Sequence, residues 1–179
     1  MSIWIALFRG INVGGRNIVP MAELRAGLQE VGLEEVRSYI QSGNVVFCSG
    51  GEARELAERI ASVVDAQRGF RPEVMVLSRA ALLEAVENDP FVDVEGRDKT
   101  VHYFFLGAAA KLNEDAARAK AGANERYSLA GRVFYLHAPD GLGRSKIAAG
   151  AERILGVPTT ARNARTVGKL VELSRECEF

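Results

Sequence analysis

Two successive α+β units of the same element order account for this 179-residue chain. Three observations predict them. Apolar strand-like runs alternate with amphipathic helical runs in the order β-α-β-β-α-β between residues 3 and 77. The same order begins again at Val101, after a polar stretch at 93–99. In both halves the two middle strands are joined by a short glycine turn, Ser42-Gly43 in the first and Ala130-Gly131 in the second. The split βαβ order is that of a ferredoxin-like, or α/β-plait, sheet. The expected domains are 1–78 for the first subdomain, 79–98 for a connecting helix and loop, and 99–179 for the second subdomain with a C-terminal helix. A tandem duplication is the simplest account, although no residue-level repeat marks it.

Each element has its own justification. Residues 3–9 are apolar on both faces, which predicts a central strand covered on both sides. Pro20 stands where proline favours the first turn of a helix, Met21, Leu24, Leu28 and Val31 supply one apolar stripe, and Gly32 ends it. Residues 35–41 and 44–48 form a hairpin, and 52–68 a helix with Leu56, Ile60, Val63 and Val64 on one side. After Pro72, residues 73–77 make the fourth strand. Ser78 caps a helix at 79–88, which a turn at Asn88-Asp89-Pro90 closes. In the second half, strands are expected at 101–106, 125–129, 132–138 and 157–161, with helices at 114–121, 146–155 and 163–176. Trp4, Ala6 and Phe8 alternate with Ile3, Ile5 and Leu7, so neither face of the first strand is polar, and Val133 through Leu136 behave the same way. The open faces should therefore pack on each other, on extra helices or across a dimer.

Composition narrows the function classes. Apolar residues make up 47% and charged residues 26%, which excludes a disordered chain. The net charge of zero argues against a bulk nucleic-acid binder. The charge is uneven, however: residues 141–170 hold Arg144, Lys146, Arg153, Arg162, Arg165 and Lys169 against Glu152 alone, and residues 1–22 hold Arg9 and Arg16 with no acid. Cys48 and Cys177 offer neither a disulfide framework nor metal spacing, so no metal site is expected. No run reaches the roughly 18–20 apolar residues of a membrane span. A reduced, cytoplasmic protein without membrane association is the expectation.

The candidate site lies in four glycine- and cation-bearing stretches. Arg9-Gly10-Ile11-Asn12-Val13-Gly14-Gly15-Arg16-Asn17 carries two arginines, two asparagines and no acid where the first strand breaks. Its glycine spacing is not that of a dinucleotide fingerprint. Such loops turn backbone N–H groups toward an anion while arginines add bidentate contacts; the competing reading is a flexible hairpin with solvated arginines. Pro139 through Lys146 lacks the Gly-Lys-Ser/Thr order of a Walker A loop, yet it joins a strand to a helix with Ser145 as cap between Arg144 and Lys146. Thr159 through Thr166 repeats the device with Arg162, Asn163 and Thr166, and Ser42-Gly43-Asn44 is at least a turn. His102 and His137 fall on apolar strands that neighbouring positions would bring together, and they read better as core histidines than as ligands. Glu34-Glu35 and Glu55/Glu58 read as solvated faces. No nucleophile–base arrangement is present.

Four of these segments together resemble a bacterial family known as domain of unknown function 1697: Arg9 through Gly15, Tyr39 through Val45, Pro139-Asp140-Gly141 through Ser145-Lys146, and Thr160 through Thr166. The motifs occur in order over essentially the whole chain. The resemblance implies two α/β-plait subdomains and no settled activity. This chain departs from the family pattern Arg-Asn-Trp-Asn-Thr, with Ala164 and Arg165 after Arg162-Asn163. If the tryptophan stacks on a ligand in relatives, that contact is missing here; if it is structural, only packing changes.

The leading expectation is a cytoplasmic protein that binds an anionic, phosphate-bearing ligand, a nucleotide or short nucleic acid, in a cleft between the subdomains. Arg9, Arg16, Arg144, Lys146 and Arg162 would supply charge. Asn12, Asn17, Ser42, Asn44, Ser145, Asn163 and Thr166 would orient the ligand, and Gly14 and Gly15 would let it approach. One alternative is a structural or interaction module that dimerises through apolar sheet faces. Another is a phosphoryl- or nucleotidyl-handling enzyme, with Asp140 the one acid inside the motifs. The residues name no cofactor and leave catalysis open.

Overall fold

The computed structural model describes residues 1–177. It contains two four-stranded antiparallel sheets. Its contacts divide the chain into one unit of Met1–Glu84 together with the segment from Lys169 onward, and a second unit of Ala85–Gly168. The closing helix, which sequence order assigns to the second half, thus begins in the second unit and ends in the first.

In the first unit, β1 (Ser2–Arg9), α1 (Met21–Glu30), β2 (Glu34–Tyr39), β3 (Asn44–Ser49), α2 (Ala53–Arg68) and β4 (Glu73–Ser78) follow the expected order. The sheet order is β2-β3-β1-β4. β1 is central because both its faces are apolar, so it must be covered twice. Ala6, Phe8, Val45 and Phe47 face α1 and α2 in one core with Leu24, Leu28, Leu56 and Ile60. Ile5, Leu7, Val46 and Cys48 point to the other face and are also fully buried. On that face Cys177, from the C-terminal segment, neighbours Cys48, and both thiols are buried. Burial and this neighbour push the Cys48 thiol up to about 11. Arg37 Nη1 donates to Glu176 Oε2 at 2.6 Å from the same segment.

The second unit repeats the plan. It begins within α3 (Arg79–Glu87), and the expected linker contains one short helix, α4 (Arg97–Thr100). Then come β5 (Val101–Leu106), α5 (Glu114–Lys120), β6 (Arg126–Ala130) and β7 (Val133–His137). The helix expected at 146–155 is two short ones, α6 (Lys146–Ala149) and α7 (Ala151–Leu155), because Gly150 interrupts it. β8 (Thr159–Asn163) and α8 (Ala164–Arg175) follow. The order β6-β7-β5-β8 matches the first sheet position for position.

One face of the second sheet packs Phe104, Phe134 and Leu136 on α6 and α7 residues Ile147, Ile154 and Leu155. The other face is closed by the 85–97 segment. Tyr135 Oη donates to Ala85 O at 2.6 Å. Tyr103 Oη donates to Asp89 Oδ2 at 2.8 Å, and Arg97 Nη2 reaches the same oxygen at 2.5 Å. Asp89 is wholly buried, but Phe91 N satisfies its second oxygen, so this buried carboxylate is fully partnered. Further segments of the chain therefore lie against these faces.

Candidate functional site

In the first unit, the two candidate stretches lie at the same sheet end, off the end of β1 and the start of β3. Residues 12–17 form a tight hairpin: Asn12 N donates to Asn17 O, Arg16 N donates to Val13 O, and Val13 and Arg16 form an isolated bridge. Side-chain amides fix it. Asn12 Nδ2 donates to Val19 O at 2.9 Å and to Gln41 O at 2.7 Å, while Asn12 Oδ1 accepts from Val19 N at 2.7 Å. Asn17 Nδ2 donates to Gly10 O. Both asparagines adopt left-handed backbone, which their short polar side chains tolerate better than most. The stretch is a hairpin, as the competing reading held, but a pinned one.

The β2–β3 turn is tied to the same place. Asn44 Nδ2 donates to Tyr39 O and to Ser42 Oγ. Gly43 has φ +73°, and its carbonyl accepts from Phe8 N at 2.9 Å. A Cβ there would meet Phe8 Cβ at 2.6 Å, so only glycine lets the turn lie on β1. Ile40 stands beside it with φ +49°, an outlier for a β-branched residue.

The arginines of this unit differ. Arg9 pairs with Glu73 across the β1–β4 ladder at 2.9 Å. Arg16 at the hairpin tip is exposed and makes no ion pair among the described residues. Val13 and Ile18 of the same stretch, and Ile40 at the β2–β3 turn, are exposed by 64%, 53% and 52%. An added Cβ at Gly14 or Gly15 would meet nothing within 4 Å, so the tip faces open space.

In the second unit, the other two stretches leave the ends of β7 and β8, which flank the start of β5. Ser145 is buried and its Oγ accepts from Ala148 N at 3.1 Å, the expected cap. Asn163 Oδ1 accepts from Thr166 N at 2.9 Å and starts α8 in the same way. Thr166 is buried. Arg162 is buried too; its Nη1 donates to Thr160 Oγ1 and Ala161 O, and burial lowers its pKa to about 10. Arg144 and Lys146 are exposed and, like Arg16, form no ion pair among the described residues. Ala164, at the position of the family's tryptophan, is buried at the start of α8.

The histidines do not meet. His137 is paired with Val101 and His102 with Leu136, so the two rings lie on opposite faces of the sheet. Both are buried with an unpartnered Nδ1, and burial lowers both pKa values, with Arg126 adding to the effect at His137. Among the described residues no group of His, Cys, Asp and Glu is arranged to hold a metal ion. Asp140 is bonded by Asn124 Nδ2 at 2.9 Å. No helix among the described residues is long and apolar enough to cross a membrane.

The asparagines, Ser42 and Ser145 thus hold loops in shape, while Arg16, Arg144 and Lys146 form no ion pair among the described residues. Sequence reasoning missed Lys120 and Arg153, which line the same surface as Lys146. No motif marks them; α5 reaches that surface only through its packing on α6 and α7.

Sheet orders and element sequence define a tandem α/β-plait protein with basic, glycine-rich loops. The chain belongs to the family described as Protein of unknown function (DUF1697), whose model matches residues 1–135. The match takes in the two motifs of the first unit and ends before those at 139–146 and 160–166. Among solved structures, that of conserved bacterial protein SP0830 from Streptococcus pneumoniae is similar to this chain. It is 27% identical with a TM-score of 0.69, over 97% of this chain and 98% of that one. A comparison with curated proteins finds no match.

Proposed function

We propose that this protein binds an anionic, phosphate-bearing ligand with an organic part, such as a nucleotide or a short nucleic acid, through its glycine- and arginine-rich loops. The hairpin at 12–17 carries the reading. It is a pre-shaped tip that presents over open space a guanidinium, Arg16, with no ion pair among the described residues. Pre-shaping matters because a loop already ordered loses little entropy on binding. A planar guanidinium suits the bidentate geometry of a phosphate. The apolar rim of Val13, Ile18 and Ile40 supports a ligand with an organic portion over a bare inorganic ion. Strain held at an exposed isoleucine is itself a feature found at ligand-contacting loops. Arg144 and Lys146 supply the corresponding charge in the second unit, and the capping residues hold their loops.

The test is a thermal-shift screen of wild type and Arg16→Ala against nucleotides, inorganic phosphate and short oligonucleotides at low and high salt. A ligand at 100-fold its Kd stabilises by about 2.7 kcal/mol. A shift in wild type that shrinks at least tenfold in apparent affinity in Arg16→Ala is the expected result, and a steep salt dependence would mark an oligonucleotide. No shift with any phosphate compound would sink the reading. The alternative of a dimer through apolar sheet faces has less to stand on, since the central strands β1, β3, β5 and β7 bury their apolar residues within a single chain.

A further inference from the structure

The first unit buries both cysteines of the chain on one face of its sheet. Strand register fixes the first of them. Val45 and Phe47 of β3 face α1 and α2, so Val46 and Cys48 point to the opposite face. Arg37 of β2 is the partner of Val46 and shares that face. The second cysteine is placed from there. Arg37 Nη1 donates to Glu176 Oε2 at 2.6 Å, and its Nη2 donates to Glu176 O at 3.2 Å. Side chain and backbone of the residue before Cys177 are thus both tied to the strand beside Cys48.

Each cysteine alone reads as a small buried apolar residue. That reading does not account for the two thiols of the chain, far apart in sequence, being neighbours in the fold. Among the described residues no group of His, Cys, Asp and Glu is arranged to hold a metal ion. The chemistry open to two adjacent thiols is then their own oxidation. They are not equivalent in it. Cys48 is fully buried, whereas Cys177, two residues past the end of α8 at Arg175, keeps 4% exposure. Burial also holds the Cys48 thiol in its protonated form. An oxidant small enough to enter meets Cys177 first.

We infer that Cys48 and Cys177 form a reversible disulfide under hydrogen peroxide, which fastens the segment after α8 to β3. The Cys177 thiolate attacks one peroxide oxygen. The O–O bond breaks, Cys177 becomes a sulfenic acid, and the departing hydroxide leaves as water with the proton of the thiol. The Cys48 sulfur then attacks the sulfenic sulfur. The S–O bond breaks, the S–S bond forms, and the hydroxide takes the Cys48 proton as a second water. Two thiols lose two electrons and two protons, and one peroxide becomes two waters. A thiol reductant reverses the bond by exchange. In the reduced protein Arg37 and packing hold the segment; in the oxidised protein a covalent bond closes a long loop and restricts the unfolded chain. The inference is independent of the proposed phosphate-bearing ligand.

The test treats the reduced full chain with hydrogen peroxide, unfolds it in guanidinium with iodoacetamide, and measures the intact mass. Untreated protein should take up two carbamidomethyl groups. Treated protein should take up none, remain a monomer, and yield on digestion a peptide pair joining Cys48 to Cys177 that dithiothreitol separates. The melting temperature of the oxidised protein should exceed that of the reduced protein by at least about 5 °C, and Cys48→Ala should show no such rise. Arg37→Gln, which releases Glu176, should slow cross-linking by at least about threefold through lost proximity. Two thiols still open to iodoacetamide after peroxide overturn the inference, as do disulfide-linked dimers or a sulfinic acid on Cys177 without a cross-link. A cross-link with no rise in melting temperature overturns the fastening. An unchanged rate in Arg37→Gln removes the contact on which the placement of Cys177 rests.

Discussion

Asn12 shows how a residue that looks like a ligand contact can be a fastener. Its amide donates to two backbone carbonyls and its oxygen accepts from Val19 N, so it organises the hairpin that Arg16 tops. Gly43 is the partner of that hairpin from the other side. It combines a left-handed backbone with a Cβ-to-Phe8 approach of 2.6 Å. Gly43→Ala should destabilise the protein by about 2–4 kcal/mol, from overpacking and left-handed strain together. Urea unfolding reads this directly; a loss under about 0.5 kcal/mol, the range of a neutral surface change, would mean the turn does not lie on β1 as described.

At the scale of elements, the two helices of the first unit meet at Gly27. A Cβ there would stand 2.8 Å from Val63 Cγ1 and 2.3 Å from Gln67 Nε2. The glutamine end can swing aside, but Val63 belongs to the core. Gly27→Ala gains about 1 kcal/mol of helix propensity against about 1–3 kcal/mol of overpacking. The expected outcome is a net loss of about 1 kcal/mol, seen as a lower denaturant midpoint at unchanged m-value. A gain in stability would show that α1 and α2 part freely. Gly150 has the opposite character: it breaks a helix and makes room for Lys120.

For the molecule as a whole, acid is the revealing condition. His102 and His137 are buried neutral, and their pKa values are lowered in the folded state. The unfolded chain therefore binds more protons as pH falls below the ordinary value of 6.5. That stability is fully present above the ordinary value and is lost as pH falls through the folded-state values. The melting temperature should drop between about pH 7 and about pH 5.5, and His102→Gln/His137→Gln should drop less. Equal drops in both proteins would place the acid sensitivity elsewhere.

The sequence by itself determined the element order, the duplicated plan and the need to cover both faces of the central strands. Those follow from local periodicity, caps and apolar content, which each short segment carries within itself. It also marked the loops, because glycine, asparagine and arginine clustered without acid are visible in a line of text. Tertiary structure alone decided which polar residues were already spent. Whether Asn12 is a fastener, Arg9 is paired with Glu73, or His102 and His137 face opposite ways depends on register and on partners far along the chain. It alone brought Lys120 to Lys146, and returned the end of α8 to the first unit. A side chain's chemistry is local, but its neutralisation is set by whatever folding brings beside it.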